Sequence, residues 1–583
     1  MTVESHRNRP ATVPGATIDV ATTLESLLPA DLLAEADPAL WGRTVVQVAQ
    51  GLATHPADVG RVVAAHAALT ARIGTAAVAR ALGSTADGPV PVEKDGRFRD
   101  TTWEENPVYW GLRQEYLALV ATLHDLVDAA GLDDSSRERA GLLADVLGSV
   151  LSPTNLLPGN PAALKRAFET GGSSVLSGFR QMLDDLATNQ GRPQQVDRTN
   201  LRVGQELAAT PGKVVYRNRL MELIQFEPQT DEVHEIPILV SPPWINKYYV
   251  MDLAPGRSFL EWAVQHGHTV FVISYRDPDE SMAETGLDDY LELGDLAAMD
   301  VVQEITGADK VNLVGLCLGG LMATIATAML HSRGQGDRVN SLTLQNTLLD
   351  YSDPGPVASF VDPEIVERLE RKMAKTGYLP ADSMAGTFDL LRANDLIFNY
   401  VGPNWLEGKT PPAFDILAWN NDSTRMPAKM HAFYLRHFYL ENELARGELE
   451  LLGEHLSLKS VTNDTFIVGA VNDHIAPWRT SFTSTGLLGG DVTFTLSNGG
   501  HIAGVVNPPG KKAKHWIGTV GGESAPDADT WLQRASEVAG SWWEPWRDWI
   551  GERAGGMRTP PPTGSDAHPP LGDAPGSYVL GTA

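Results

Sequence analysis

The spacing of hydrophobic residues changes near residue 205 of the chain. Before this point, apolar residues recur every three or four positions, which is typical of amphipathic helices. Segments with this spacing cover 24–36, 39–53, 58–82, 106–131 and 136–151. Proline and glycine separate them, and Asn160 is placed to cap the helix that follows it. We therefore expect an all-α domain over residues 21–205, preceded by a disordered tail at residues 1–20.

After residue 205, hydrophobic residues come in short runs that are typical of β-strands. Alternation over 212–226 predicts a hairpin with its turn near Arg217 and Asn218. Strand-like and helix-like segments then alternate, which indicates a parallel, doubly wound α/β sheet. The predicted strands are 237–240, 269–274, 311–316, 341–346, 465–470 and 492–497.

The fourth and fifth of these strands are about 120 residues apart, far more than a connection between a strand and a helix needs. We interpret residues 347–460 as a cap inserted over the carboxyl edge of the sheet. The cap would belong to a catalytic domain that spans 206–555. Residues 556–583 contain many proline, glycine, serine and aspartate residues, and this composition predicts a disordered tail.

Composition narrows the possible functions. A chain of 583 residues is too long for one ordinary core. The 46 basic and 73 acidic residues give a net charge of −27, which argues against a nucleic-acid-binding protein. The single cysteine excludes an intramolecular disulfide and fits a reducing compartment. The first residues lack the apolar run of a secretion signal, and no run is long enough to span a bilayer. We therefore expect a cytoplasmic protein without a transmembrane segment.

The segment 311–320, VNLVGLCLGG, carries the candidate nucleophile. A strand-like run leads into Gly315, Cys317 and Gly319, and a strongly apolar helix-like stretch follows. This is the nucleophile elbow of α/β-hydrolases, with cysteine in place of serine. Glycine is required on both sides because a side chain there would collide with the neighbouring strand and helix. On this motif alone, a buried structural cysteine is an equally good interpretation.

Two further residues fit the chain order of nucleophile, acid and histidine in this fold. Asp473 follows the predicted strand 465–470, and His501 follows the strand 492–497. Both lie beyond the carboxyl ends of strands, where open α/β sheets place their sites. His474 adjoins Asp473, but adjacent side chains diverge at a strand end, so His501 is the better candidate base. Although each residue alone could be an ordinary loop residue, the three together favour catalysis.

An acyl-transfer site also needs two backbone N–H groups that stabilise the oxyanion. Leu318, directly after the nucleophile, would supply one. The other would come from the loop after the first parallel strand, where Pro242 and Pro243 have no N–H, so that Trp244 or Ile245 is the candidate. A cysteine nucleophile accepts an acyl group from another thioester with little loss of free energy, which favours acyl transfer over hydrolysis.

With these residues identified, the chain resembles the polyhydroxyalkanoate synthases, and its length and HTVFVISYRDPD sequence are most similar to the class I, single-chain members. Besides GLCLGG, the similar segments are 100–112, 209–218, 242–253, 266–290, 348–355, 392–401, 419–427, 471–478 and 499–516. Tyr275 and Asp277 replace an expected Trp and Asn, and Leu316 stands where an aromatic residue is common. These departures bear on substrate preference rather than on the chemistry.

The resemblance implies an α/β-hydrolase fold and the polymerisation of (R)-3-hydroxyacyl-CoA, with 3-hydroxybutyryl-CoA as the expected monomer, into polyester with release of CoA. It implies Cys317 as the acylated nucleophile and His501 as its general base. Asp473 would activate the substrate hydroxyl or orient His501. Trp419 would lie near the substrate, or would be only a buried aromatic residue of the cap. No metal or cofactor is implied, and the protein would be a homodimer on polyester granules in the cytoplasm, with a cap that opens.

Two alternatives remain at this point. A thiol-type α/β-hydrolase, such as a polyester depolymerase or an esterase, would share the three residues but pass the acyl group to water. A non-catalytic granule-associated protein would bind through its helical domain, although the only cysteine at an intact elbow argues against it. The size of the acyl product distinguishes the hydrolase from a synthase. Loss of CoA release in a Cys317→Ala variant would exclude the non-catalytic protein.

Overall fold

The computed structural model describes residues 38–85, 87–520 and 527–581. The predicted tail at 1–20 and the predicted helix at 24–36 lie outside these residues. The helical N-terminal region contains α1 (Pro38–Thr54), α2 (Pro56–Ala81), α3 (Thr102–Glu105), α4 (Pro107–Ala129), α5 (Asp134–Val150), α6 (Pro161–Glu169) and α7 (Ser173–Thr188). As predicted, Asn160 caps a helix: its side-chain oxygen accepts a hydrogen bond from the N–H of Ala163 at 3.0 Å, at the start of α6.

Among the described residues, α2 alone is long and apolar enough to cross a membrane, although no such run was expected from the sequence. Only 6% of its apolar window is buried. Helix α2 nevertheless makes polar contacts with α4, since His66 Nδ1 lies 2.8 Å from the Thr122 hydroxyl and Thr70 donates to Glu115 at 2.7 Å. Length and composition in one helix are weak evidence for a membrane span.

An eleven-stranded mixed sheet forms the centre of the catalytic domain. Its strands are β1 (Gly212–Arg217), β2 (Met221–Phe226), β3 (Ile238–Ser241), β4 (Val270–Tyr275), β5 (Val311–Leu316), β6 (Val339–Gln345), β7 (Asp464–Ala470), β8 (Val492–Ser497), β9 (Lys514–Val520), β10 (Ser536–Ala539) and β11 (Gly572–Asp573). The order across the sheet is β10-β9-β8-β7-β6-β5-β3-β4-β2-β1-β11. Strands β3 to β8 pair in parallel, which confirms the predicted α/β sheet and its six parallel strands.

Helices cover both faces of the sheet. They are α8 (Phe259–Gln265), α9 (Leu287–Tyr290), α10 (Ala297–Thr306) and α11 (Leu318–Ser332), followed beyond the cap by α17 (Trp478–Leu487), α18 (Ala528–Arg534) and α19 (Trp543–Gly551). Helix α11 is buried from Leu318 to Leu330 because it carries apolar and small residues on all sides. On the opposite face, Phe259 lies among Trp542, Trp543 and Trp546.

The cap occupies the chain between the end of β6 and the start of β7. Its helices are α12 (Pro363–Thr376), α13 (Ala381–Leu391), α14 (Asp415–Asn420), α15 (Ala428–Tyr434) and α16 (Glu443–Arg446). The helical N-terminal region lies against the cap. Gln195 donates from its side chain to the carbonyl of Leu396 at 2.6 Å, and Trp405 donates to Asp185 at 2.7 Å.

Strands β9 and β10, which extend the sheet by antiparallel pairing beyond β8, were not predicted. The prediction of a disordered tail over 556–583 is wrong for the residues that the structure describes. Met557–Arg558 pairs with Val233–His234, and β11 pairs with β1. The composition of residues 556–583 is typical of a flexible chain, but composition does not show which distant groups bind the segment. A buried carboxylate elsewhere in the protein needs hydrogen-bond donors, and this segment supplies them. Glu222 on β2 is fully buried, and it accepts hydrogen bonds from the Ser577 hydroxyl at 2.7 Å and the N–H of Tyr578 at 2.9 Å.

Candidate active site

Cys317 occupies the turn between β5 and α11 in a strained backbone conformation, with φ 51° and ψ −117°. Its N–H donates to the carbonyl of Gln345 on β6 at 2.8 Å, which holds the turn against the sheet. A Cβ on Gly315 would lie 2.4 Å from the Cα of Gly320, and one on Gly319 would lie 2.0 Å from the carbonyl oxygen of Ser241. The glycines are therefore required by close approach, while the positive φ falls on the cysteine itself.

The structure brings Asp473 and His501 together at the carboxyl ends of β7 and β8. His501 Nδ1 lies 2.7 Å from Asp473 Oδ2, and both residues are buried. The other carboxylate oxygen of Asp473 accepts hydrogen bonds from the N–H groups of Ile475 at 2.9 Å and Ala476 at 2.8 Å. Because Nδ1 is used by Asp473, Nε2 remains for Cys317, which lines the same cavity as His501.

The surroundings of His501 favour the imidazolium form. Burial on its own lowers the pKa of His501, but the Asp473 carboxylate and the Cys317 sulfur outweigh this effect and hold the pKa well above its usual value. The main chain of His501 is also fixed, since the side-chain amide of Asn346 donates to its carbonyl. Asn346 follows β6 directly, so this bond ties the loop that carries His501 to the strand beside the nucleophile.

The oxyanion loop, residues 242–247, follows β3 and lies beside Cys317. Ile245 lines the same cavity as Cys317, whereas the side chain of Trp244 is 2% exposed and lies against Tyr290 and Tyr434. Trp244 and Ile245 are both still candidates for the second N–H donor, because the placement of a side chain does not fix the direction of the main-chain N–H. The N–H of Leu318 begins α11, where the first N–H groups have no partner within the helix.

A cavity of about 780 Å³ opens above Cys317. Its walls come from the oxyanion loop, the cap and the loops that carry Asp473 and His501, and they include Pro243, Asn246, Arg392, Leu396, Trp419, Asn420, Asn472 and His474. Trp419, predicted to lie near the substrate, lines this cavity while its Nε1 donates to the carbonyl of Lys247 at 2.8 Å. The volume is within the range of small-molecule sites.

His474 lines the cavity but is not the histidine paired with Asp473. Burial, and after it the nearby Arg392, lower the pKa of His474 to about 4, so the ring is neutral near pH 7. Within the described part of the chain, one group of possible metal ligands brings its atoms within 4.8 Å of one another, namely His437, Glu441 and Glu443. None of these three residues lines the cavity.

Three tyrosines of the cap region near Cys317, of which Tyr351 and Tyr434 are buried and Tyr439 is partly buried, were not singled out from the sequence. The hydroxyls of Tyr351 and Tyr434 lie 3.1 Å apart, and the ring of Tyr439 contacts both residues. Burial raises the pKa of all three tyrosines, and the nearby Cys317 adds to the effect. The sequence signals were the aromatic-rich stretch 433–439 and, for Tyr351, the similar segment 348–355. An aromatic run usually indicates no more than a core.

Comparisons with known proteins bear directly on this arrangement. A family model described as "Poly-beta-hydroxybutyrate polymerase (PhaC) N-terminus" matches residues 94–263, and a model of the alpha/beta hydrolase fold matches residues 244–508. The poly(3-hydroxyalkanoate) polymerase subunit PhaC of Rhizobium meliloti is 40% identical over 505 residues, which cover 86% of this chain and 82% of the relative. This chain belongs to the poly(3-hydroxyalkanoate) polymerase family.

Other polymerases match over a similar extent. Poly(3-hydroxyalkanoate) polymerase 2 of Ectopseudomonas oleovorans is 41% identical over 86% of this chain and 88% of its own length. The polymerase subunit PhaC of Cupriavidus necator is 40% identical over 85% of this chain and 84% of its own length. This polymerase therefore has the α/β-hydrolase fold and is an acyltransferase, as expected from its sequence.

Proposed function

We propose that this acyltransferase builds polyester from (R)-3-hydroxyacyl-CoA, with 3-hydroxybutyryl-CoA as the monomer, through an acyl-cysteine at Cys317. The observation that carries the proposal is the contact between His501 and Asp473 in the cavity that these two residues and Cys317 line together. Cysteine supports the choice of a CoA thioester, because transfer between two thioesters keeps the acyl group activated for the next step.

In the first half-reaction, His501 Nε2 takes the proton of the Cys317 thiol, and the sulfur attacks the carbonyl carbon of the substrate thioester. The negative charge that develops on the carbonyl oxygen is stabilised by the N–H groups of Leu318 and of Trp244 or Ile245. The bond from carbon to the CoA sulfur then breaks, and the imidazolium returns its proton to the leaving thiolate. The products are acyl-Cys317 and free CoA.

In the second half-reaction, the 3-hydroxyl of another hydroxyacyl unit gives its proton to His501 Nε2 and attacks the carbonyl carbon of the acyl-cysteine. An ester forms as the bond from that carbon to the Cys317 sulfur breaks, and the imidazolium returns the proton to the Cys317 thiolate. The sequence leaves two roles open for Asp473. Both of its carboxylate oxygens already accept hydrogen bonds, from His501 and from the N–H groups of Ile475 and Ala476. This arrangement supports the role that orients His501 and stabilises its positive charge, with His501 as the base for both hydroxyl and thiol.

The proposal is tested by release of CoA from (R)-3-hydroxybutyryl-CoA with the purified protein, with the acyl product sized in the same sample. We expect CoA release together with high-mass polyester, and a Cys317→Ala variant that releases no CoA but unfolds at the same temperature. Free 3-hydroxybutyrate as the only acyl product would mean that water is the acceptor, and the thiol hydrolase would replace the synthase. Normal turnover by the variant would refute the acyl-cysteine.

We also propose that the polymerase works as a homodimer on polyester granules in the cytoplasm. Support for attachment to the granule comes from α7, which carries an apolar stripe at helical spacing. The residues of this stripe are each about half exposed: Leu176 53%, Phe179 50%, Leu183 48% and Leu186 56%. Replacement of these four residues by serine should abolish cosedimentation with poly(3-hydroxybutyrate) granules, while soluble turnover persists. Unchanged cosedimentation would refute α7 as the surface that binds the granule. The molecular mass of the unsubstituted protein in solution tests the homodimer.

A further inference from the structure

Residues 572–579, which we call the edge segment, are fixed to the catalytic domain along β1 and β2. Asp573 in β11 pairs with Lys213 through backbone and side chain. Ser577 and Tyr578 donate to the buried Glu222, and the hydroxyl of Tyr578 donates to the carbonyl of Asn218 at 2.7 Å. The edge segment is thus held to the edge of the sheet by main-chain and side-chain contacts.

The end of the edge segment meets the oxyanion loop at one residue. The ammonium of Lys247 donates to the carbonyl of Val579 at 2.8 Å, and it also forms an ion pair with Asp422 at 2.8 Å. The side chain of Lys247 is only 15% exposed, and Val579 is buried in the apolar core on that face of the sheet. A lysine ammonium has three N–H donors, so both contacts form at the same time.

Apart from the packing of Trp244 on Tyr290, the other contacts described for the oxyanion loop come from the cap. Trp419 donates to the carbonyl of Lys247, and Thr424 donates to the carbonyl of Trp244 at 3.3 Å. Asn246 forms a backbone bridge with Ser423. These contacts would pass a movement of the cap on to the loop. The contact with Val579 differs because it connects the loop to the sheet, on which Cys317 itself is mounted.

We infer that the edge segment positions the oxyanion loop through Lys247, so that the loop's N–H donor to the oxyanion keeps its place over Cys317 while the cap moves. Lys247 is a positioning residue in this account, because it belongs to the oxyanion loop and its side chain contacts Val579 and Asp422 rather than the reacting atoms. The inference rests on the proposed acyl-cysteine mechanism. It predicts that loss of the edge segment slows acylation of Cys317 by a thioester, because acylation needs the oxyanion donors. Alkylation of the same sulfur forms no oxyanion, so its rate should not change.

The experiment compares two reactions of Cys317 in matched proteins. One variant ends the chain after Gly576, its control ends after Leu580 and keeps the Val579 carbonyl, and Lys247→Met is made in the full chain. We expect acylation by (R)-3-hydroxybutyryl-CoA to be at least tenfold slower in the first and third proteins, with alkylation by iodoacetamide within twofold of the parent. The control should acylate at the parent rate.

A double variant tests whether the two elements act as one. If the edge segment acts through Lys247, Lys247→Met in the chain that ends after Gly576 should slow acylation no more than either change alone. If the double variant shows the product of the two single slowdowns in acylation, the inference is overturned. Acylation at the parent rate in the truncated chain, or an equal loss of alkylation by iodoacetamide in that chain, would also overturn it. Lys247→Met leaves the buried partners of Glu222 intact, so it decides the outcome if the truncated chain does not fold. Absence of any acyl-enzyme in the parent would instead refute the proposed function.

Discussion

The side-chain amide of Asn346 donates a hydrogen bond to the backbone carbonyl of His501 and so joins the end of β6 to the loop of the candidate base. Asn346 has a positive φ of 46°, is fully buried, and donates its own N–H to the carbonyl of Val468 at 2.7 Å. The residue that follows it, Thr347, donates to the carbonyl of Cys317 at 3.3 Å. One short stretch after β6 therefore contacts both the nucleophile turn and the histidine loop.

An Asn346→Gly variant should lower the kcat for CoA release about tenfold or more, because His501 loses its main-chain anchor. Glycine adopts a φ of 46° without strain, so the substitution removes the amide and keeps the turn. The matched control is Asn340→Ala, which removes an asparagine that donates to the carbonyl of Arg553 at the opposite end of β6. Equal kcat values in the two variants would show that the Asn346 bond does not position the base.

Gly319→Ala should prevent correct folding of the elbow, since the new methyl group would lie 2.0 Å from the carbonyl oxygen of Ser241. We expect the free energy of unfolding to fall by about 3 kcal/mol. Gly74→Ala is the control, because Gly74 lies inside α2 and a Cβ added there would have no atom within 4 Å. This substitution should stabilise the protein by about 0.5 to 1 kcal/mol. Urea unfolding measures both changes, and a Gly319→Ala protein as stable as its parent would contradict the close approach described above.

Asp473→Asn should reduce turnover about a thousandfold or more, because His501 loses both its orientation and its stabilising charge. The carboxylate of Asp473 raises the pKa of His501, so its removal must lower that pKa. Titration of the His501 ring by NMR in 13C-histidine-labelled protein measures this shift, with the charge-preserving Asp473→Glu as the comparison. An unchanged His501 titration in the Asn variant would mean that Asp473 does not act on His501.

His268 should make the folded protein more sensitive to acid. Burial lowers the pKa of His268 to about 3, and the ring stacks on His234 at 4.6 Å between centroids. Below the unfolded value of about 6.5, the unfolded chain binds a proton that folded His268 rejects, so this histidine costs stability as the pH falls toward 3. Between pH 7 and pH 5, His268→Phe should gain about 2 kcal/mol of unfolding free energy relative to the parent.

The measurement for His268 is urea unfolding of parent and variant at both pH values. The difference between the two proteins is the informative quantity, because buried Asp252 and Asp295 have pKa values raised to about 7 and change the stability of both proteins in the opposite direction. A difference that does not depend on pH would show that His268 is protonated equally in the folded and unfolded states.

The sequence was sufficient for those parts of the site in which a local pattern determines the geometry. Gly315, Cys317 and Gly319 follow a strand directly, and the turn allows few conformations, so the elbow could be predicted. Asp473 and His501 could be placed for a similar reason, since the carboxyl ends of parallel strands meet at one edge of a sheet. The distance between them, 2.7 Å from nitrogen to oxygen, depends on loop conformations that no periodicity describes.

Contacts between segments far apart in the chain could not be predicted in this way. Nothing near Ser577 or Tyr578 indicates that Glu222, more than 350 positions earlier, needs hydrogen-bond donors. A composition rich in proline and glycine describes a flexible chain only when no other segment binds it. The tyrosines at Cys317 were missed for a related reason, because Tyr351 and Tyr434 meet only after the cap has folded back over the sheet.

The bond between Gln195 and Leu396 has a consequence for how this polymerase can be divided into modules. Leu396 is a wall residue of the cavity, and its carbonyl is held by a side chain from the linker that leads out of the helical region. The helical region therefore helps to fix a wall of the cavity above Cys317, although Cys317, His501 and Asp473 all lie outside it. With the proposed monomer bound in this cavity, a chimera that takes its first 205 residues from another polymerase should inherit part of that polymerase's monomer selectivity along with them.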